Sequence, residues 1–259
     1  MILTTVVCIL AGIGAGLGTG FAGISAATVI SPMLITLLGL PAYQAIGVAL
    51  ASDVLASAAS AYTYAKNKNI DIRNGLVMLV SVLIMTAVGS FIASFVPNTT
   101  MGSFSTIMTT FLGIKFLLRP VMTTNEKNAG KSRRRRVVES LICGIYIGFI
   151  CGFIGAGGGL MMLFVLTSVL SYELKNAVGT NVFVMTFTAF TGAVSHMIIG
   201  GIPPLYILTV CIISTLAAAQ FGAVLANRVD NVLLNRLTGV ILTVIGVSMT
   251  AIRLYSYLI

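Results

Sequence analysis

One carboxylate of this 259-residue chain stands deep inside an apolar run: Asp53, about eleven residues from either end of the segment 42–65. An ionisable group at such depth marks an ion or proton path by default, and proton coupling is the role it suggests. The competing role is a buried carboxyl bonded to Ser52, Ser57 or another hydroxyl. Glycine supplies the second signal. Five of the twelve residues in CGFIGAGGGLMM, 151–162, are glycine, and GTGFAGISAA, 18–27, is a comparable stretch. Each glycine weakens a helix interior by about 1 kcal/mol relative to alanine. A helix broken at membrane depth frees backbone N–H groups at a positive helix end, where they can hold an anion. Such backbone is tolerated only where it is packed in protein or lines a wet cavity. The substrate-binding candidates are therefore Gly23, Ile24 and Ser25 in the first stretch and Gly155, Gly157, Gly158 and Gly159 in the second.

Four uncharged polar side chains join that set: Gln44, Asn176, Thr180 and Asn181. Amides and hydroxyls can bond an oxyanion without the desolvation cost of a buried cation. Bonds between helices are their alternative use. Lys175 is placed to snorkel or to draw anions inward. His196, the sole histidine, falls near the end of its apolar segment, as an interfacial residue or a pH-sensitive gate. Cys8, Cys143, Cys151 and Cys211 all lie in apolar runs without CxxC spacing and read as packed thiols. One histidine and one deep carboxylate do not make a catalytic or metal-binding constellation, so no enzyme activity, catalytic residue, metal or cofactor is expected. The glycines do not form a dinucleotide fingerprint, because no strand precedes them and no Walker lysine follows.

The elements that must position these residues follow from hydropathy. The chain is 58% hydrophobic and 8% charged, with a mean hydropathy of +1.06. Apolar segments recur at 2–19, 25–40, 42–65, 74–96, 101–118, 137–153, 158–171, 173–198, 204–226 and 232–254. That pattern is a polytopic helical membrane protein, all-α, without the short alternating segments of a barrel. Most of the net charge of +9 comes from RPVMTTNEKNAGKSRRRR, 119–136, which reads as a cytoplasmic loop with some affinity for anionic lipid and not as a nucleic-acid site. The first segment lacks the positive flank of a signal peptide and is expected to remain in the mature protein.

The basic loop divides the segments five and five. Sliding the chain by 132 residues lays Gly12, Gly16 and Gly20 on Gly144, Gly148 and Gly152, and the match continues without a gap through Phe21 and Phe153, Gly23 and Gly155, Ala45 and Ala177, and Gly47 and Gly179. Placing 133–136 in the cytoplasm puts KNKNIDIR, 66–73, inside and its counterpart IIGGIPP, 198–204, outside. Equivalent turns then lie on opposite sides, the mark of an inverted-topology repeat, with both termini outside. In each half the glycine ladder runs into a break and then a segment of about 14 to 16 residues, short for 30 Å of hydrocarbon. These are half-helices or re-entrant hairpins, and three spanning helices follow each pair. The ladders alone could serve close helix packing.

The paired motifs GFAGISAATVISPMLITLLGLPAYQAIG and GFIGAGGGLMMLFVLTSVLSYELKNAVGTN resemble the sulfite exporter TauE/SafE family of membrane permeases, in segment order over nearly the whole chain. The resemblance implies transport of small sulfur anions, such as sulfite, sulfonates or sulfoacetate, across the cytoplasmic membrane. It maps the breaks to 20–25 and 152–159, and the second polar motif to Gly179, Thr180 and Asn181. This sequence departs from the family pattern in its first copy, with Ile24, Ser25 and Ala26 in place of a glycine run and Val48 and Ala49 in place of hydroxyl-bearing residues.

The expected organisation is a first membrane repeat over 1–118, a basic cytoplasmic linker over 119–136 and a second repeat over 137–259, multi-pass in the cell membrane. The expected activity is secondary transport of a small anion by alternating access, with a proton on Asp53 as the coupling ion. The expected partners are the small anionic substrate and membrane lipid, a homodimer staying open and nucleic acid not expected. An anion channel, or a carrier of another small solute, is the rival.

Overall fold

The computed structural model describes residues 2–95, 133–154, 158–170 and 172–230, together with 114, 118, 232–234, 236–237, 239–240, 243–244, 247–248 and 251. The apolar segments 101–118 and 232–254 therefore lie largely outside the described residues, as do 119–132 of the basic linker. Among the described residues there are helices and no strands. They are α1 (Ile2–Ala22), α2 (Ala27–Leu38), α3 (Ala42–Lys66), α4 (Ile72–Ala93), α5 (Arg133–Ile154), α6 (Gly158–Ser168), α7 (Leu174–Gly200) and α8 (Leu205–Arg228). The helix α5 starts at Arg133, four residues before the apolar segment itself. Five of them, α1, α3, α4, α7 and α8, are long and apolar enough to cross a membrane.

Local chemistry sets the boundaries. Gly23 ends α1 at φ 63° and Gly39 ends α2 at φ 66°, in the left-handed region that glycine enters without a steric penalty. Pro41 and Pro204 stand immediately before α3 and α8, where the missing N–H costs no helical bond. Asp71 caps α4 by accepting from the Asn74 N–H at 3.1 Å.

The short helix α2, 12 residues and about 18 Å long, does not continue the line of α1. A Cβ built on Gly14 would lie 3.6 Å from Val29 Cγ1, although a straight helix would hold those residues about 22 Å apart. The chain thus doubles back, and α1 and α2 form a helical hairpin. In the second half Gly158 likewise lies against Cys151, 2.7 Å from a Cβ built on the glycine to that of the cysteine.

The glycine ladders are close-approach faces. Those of α1 meet α8: a Cβ on Gly16 would be 2.8 Å from Ala218 Cβ and would collide with the Thr215 carbonyl, and one on Gly20 would strike the Ala219 carbonyl. The ladder of α5 meets α4 in the same manner, Gly148 against the Val82 carbonyl and Gly152 against the Thr86 carbonyl. Between these flanking pairs α3 and α7 pack against each other, and α3 is the most enclosed of the spanning helices. Large apolar side chains such as Val80, Ile84, Phe91, Phe190, Ile213 and Phe221 face outward, as they must where the solvent is hydrocarbon.

Replacing Gly16 by leucine should lower the melting temperature in detergent through overpacking of about 1–3 kcal/mol. Gly14→Ala, which meets nothing closer than 3.6 Å, should leave it unchanged or slightly raised. Equal losses in the two variants would contradict the close-approach account.

Candidate functional site

The two breaks meet at Asn181. Its side-chain Nδ2 donates to the Gly23 carbonyl at 2.7 Å and to the Gly159 carbonyl at 2.8 Å, and the residue is fully buried. One amide of α7 therefore bonds a carbonyl of the first break and a carbonyl in the first turn of α6. Its Oδ1 has no hydrogen-bond partner among the described residues. A Cβ on Gly159 would lie 2.6 Å from the Gly23 carbonyl, 2.6 Å from Met185 Sδ and 2.9 Å from the Ser25 nitrogen. Only glycine lets the backbones of the two breaks approach so closely.

Asp53 lies beside this junction. Its carboxylate accepts from Ser25 Oγ at 2.7 Å and Ser57 Oγ at 3.0 Å, with the Ala26 backbone N–H a further donor. Ser52, its other expected neighbour, instead donates to the Val48 carbonyl. The carboxylate thus sits at the start of α2, on the positive end of that helix. Most remaining N–H groups of the first break are used inside it: Gly23 to the Thr19 carbonyl at 2.9 Å, Ile24 to Gly18 at 3.2 Å, Ala27 to Ser25 Oγ at 3.3 Å and Thr28 to the Ser25 carbonyl at 3.0 Å. Thr19 Oγ1 spans the break to the Ile24 carbonyl at 2.7 Å, so both backbone polar groups of Ile24 are bonded locally. In the first copy the anion on the helix end is the protein's own.

Of the sequence candidates, the junction gathers Gly23, Ser25, Asp53, Gly159 and Asn181, with Ile24 and Gly158 in its walls. Gly155 and Gly157 lie outside the described residues. Gln44 is elsewhere: it is nine residues before Asp53, about 13 Å along α3, and its Nε2 is 3.5 Å from the Gly200 carbonyl. Thr180 accepts from the Asp71 N–H at 3.0 Å and fixes the α3–α4 turn, not the breaks. Asn176 stands five residues before Asn181, about 7.5 Å along α7. His196, expected as an interfacial residue or a gate, is fully buried, with Nε2 3.1 Å from the Gly152 carbonyl and its ring tilted on Tyr43 at 4.7 Å between centroids. Position near a segment end gives depth along the helix but not the face, and this face packs inward.

Sequence reasoning passed over Tyr64. It is fully buried, and its Oη donates to the Gly20 carbonyl at 3.1 Å. The signal was available, since the 132-residue offset lays Tyr64 on His196 and Gly20 on Gly152.

A polar cluster closes the α3–α4 end. Tyr172 Oη and Asn74 Nδ2 each donate to Asp71 Oδ2 at 2.7 Å, Asn69 Nδ2 donates to Asn227 Oδ1 at 2.9 Å, and Lys175 Nζ donates to the Asn227 carbonyl at 3.3 Å. Asp71 lies outside the spanning helices. Partial burial works to raise its pKa, but the bonds from Tyr172, from Asn74 and from the Arg73 N–H outweigh that and hold it below the ordinary carboxylate value.

An all-helical chain with five helices long and apolar enough to cross a membrane belongs to the class of polytopic membrane proteins. The comparisons give the family. The family model described as "Sulfite exporter TauE/SafE" matches residues 8–249, and the chain belongs to that family. It is 24% identical over 220 residues to the probable membrane transporter protein YdhB of Bacillus subtilis, covering 85% of this chain and 89% of that protein. It is 25% identical over 217 residues to the probable membrane transporter protein YunE of the same organism, covering 78% of each. A probable membrane transporter protein of Methanocaldococcus jannaschii matches at 24% over 156 residues, 59% of this chain and 55% of that one. No solved structure matches.

A carboxylate with a depressed folded pKa stabilises the fold above its unfolded pKa of about 3.9, and that contribution fades as pH falls through the folded value. The melting temperature should therefore drop as pH falls from about 5 towards 3, and Asp71→Asn should flatten that part of the profile. An unchanged profile in the variant would show that the cluster does not hold the charge.

Proposed function

We propose that this protein is a secondary transporter of a small, sulfur-containing oxyanion, carried across the cell membrane by alternating access at the junction of the two breaks. The observation that carries the reading is the Asn181 side chain bonded to both Gly23 and Gly159. Broken helices of two halves meeting at mid-depth are where transporter sites are built. Membership of the sulfite exporter family supports the choice of anion.

The two halves are read as an inverted repeat over 1–118 and 137–259, with the basic segment 119–136 cytoplasmic and both termini outside. Packing supports that reading. The ladder of α1 lies on α8 as the ladder of α5 lies on α4, and the contacts correspond: Gly20 meets the Ala219 carbonyl and the Ala223 nitrogen, and Gly152 meets the Thr86 carbonyl and the Ser90 nitrogen. The fourth helices correspond at an offset of 133, one residue more than the ladders.

The first break presents a ready anion site already filled by Asp53. A second negative charge a few ångströms away in a low dielectric would be strongly repelled. A proton taken up by Asp53 removes that repulsion and releases Ser25 Oγ–H and the Ala26 N–H for the substrate, which couples the anion to a proton. Substrate entering between Gly23 and Gly159 has to displace the Asn181 bonds, so this conformer is closed at the junction.

Thermal shift of the purified protein with sulfite, thiosulfate, sulfonates, sulfate and chloride tests the reading. Sulfite at 100 times its Kd should add about 2.7 kcal/mol of stability. Asp53→Asn should bind sulfite with less dependence on pH than the wild type. Stabilisation by a cation or a neutral solute, with none by any anion, would overturn the proposal.

A further inference from the structure

We propose that Tyr64 and His196 are equivalent positioning residues, each holding the helix of its own half through a hydrogen bond to the corresponding glycine carbonyl, with Tyr64 Oη also 3.4 Å from the Phe21 carbonyl. Tyr64 of α3 donates to Gly20 at 3.1 Å, and His196 of α7 is bonded to Gly152 at 3.1 Å. The donors are 132 residues apart and so are the acceptors. Each acceptor stands two residues before the end of its helix, at Ala22 in α1 and Ile154 in α5. Carbonyls in the last turn of a helix lack an intrahelical partner. Away from water each such group must find a donor from another element. A glycine in that turn carries no side chain to screen its carbonyl, and a ring from the third helix reaches it.

Two unlike side chains perform the same task, which separates the task from general packing. A carbonyl only accepts, so His196 must carry its proton on Nε2. Its Nδ1 is then an acceptor, and it is buried without a partner among the described residues. A buried acceptor left unmade is destabilising, a penalty that a phenol at this position would not carry. Retaining a histidine here is explained by the one bond it makes to Gly152 and not by complementarity around its whole ring. Because α1 ends two residues beyond its bond, Tyr64 sets the position of Gly23 and Ser25, and His196 holds the last described turn of α5.

The prediction is a swap. Tyr64→Phe deletes only a hydroxyl and should raise amide hydrogen exchange in peptides covering 18–30 while leaving 145–160 as in the wild type. His196→Phe should do the reverse. His196→Tyr should restore protection in 145–160. In proteoliposomes, each phenylalanine variant should lower the maximal rate of sulfite counterflow at least tenfold with less than a twofold change in KM, and His196→Tyr should recover most of it. The flux arm rests on the transport reading. If the wild type moves no sulfite, that reading fails, and exchange in the two peptides still decides this one. Unchanged exchange in Tyr64→Phe and His196→Phe overturns the proposal, as does a His196→Tyr protein that melts normally yet exchanges like His196→Phe. Should His196→Tyr lose its melting transition, Tyr64→Phe alone decides.

Discussion

Hydrocarbon offers backbone no hydrogen bonds, so a helix that stops inside it must have each freed N–H and C=O bonded by the protein itself. The rest of this structure follows from meeting that demand twice. Asn181 bonds a carbonyl of the first break and one in the first turn of α6, Tyr64 bonds a carbonyl in the last turn of α1, His196 bonds the Gly152 carbonyl of α5, and Ser25, Thr19 and Asp53 consume the donors and acceptors of the first break. Glycines appear where another chain segment has to come within reach. Gly159 admits the backbone of the first break, and the ladders admit the carbonyls of α8 and α4.

The two halves meet the demand with different residues, and the difference bears on transport. In the first half a carboxylate, Asp53, occupies the start of α2. The same offset puts Met185 in the second, where its sulfur lies against Gly159. A methionine is neutral and adaptable. One half therefore carries an ionisable carboxyl at its helix end and the other does not. On the proposed mechanism this asymmetry lets a proton and an anion share one junction: the charge that attracts the proton repels the substrate until the proton arrives.

The first break and the glycine ladders were legible in the sequence because each rests on residue type at fixed spacing, and Gly23, Ser25, Asp53, Gly159 and Asn181 do come together. What it could not give was direction around a helix. Thr180 and Asn181 are neighbours, but successive residues of a helix point about 100° apart, so one meets the α3–α4 turn and the other the breaks. Ser25 and Asp53, 28 residues apart, become partners only because α2 folds back. The burial of His196 was hidden for a related reason, and Tyr64 was missed because a tyrosine among apolar residues draws no notice unless the 132-residue offset is applied to it. Contacts of α8 with α1 correspond to those of α4 with α5 at a shifted register, which an ungapped comparison at 132 does not see.

The central claim is that a small anion is carried through the junction held by Asn181. Counterflow of radiolabelled sulfite into proteoliposomes preloaded with unlabelled sulfite tests it most directly, with the wild-type protein beside Asn181→Leu. Saturable accumulation in the wild type, lost in a variant that still melts cooperatively, is the predicted result. Flux that never saturates, or saturable counterflow unaltered by Asn181→Leu, would contradict the account.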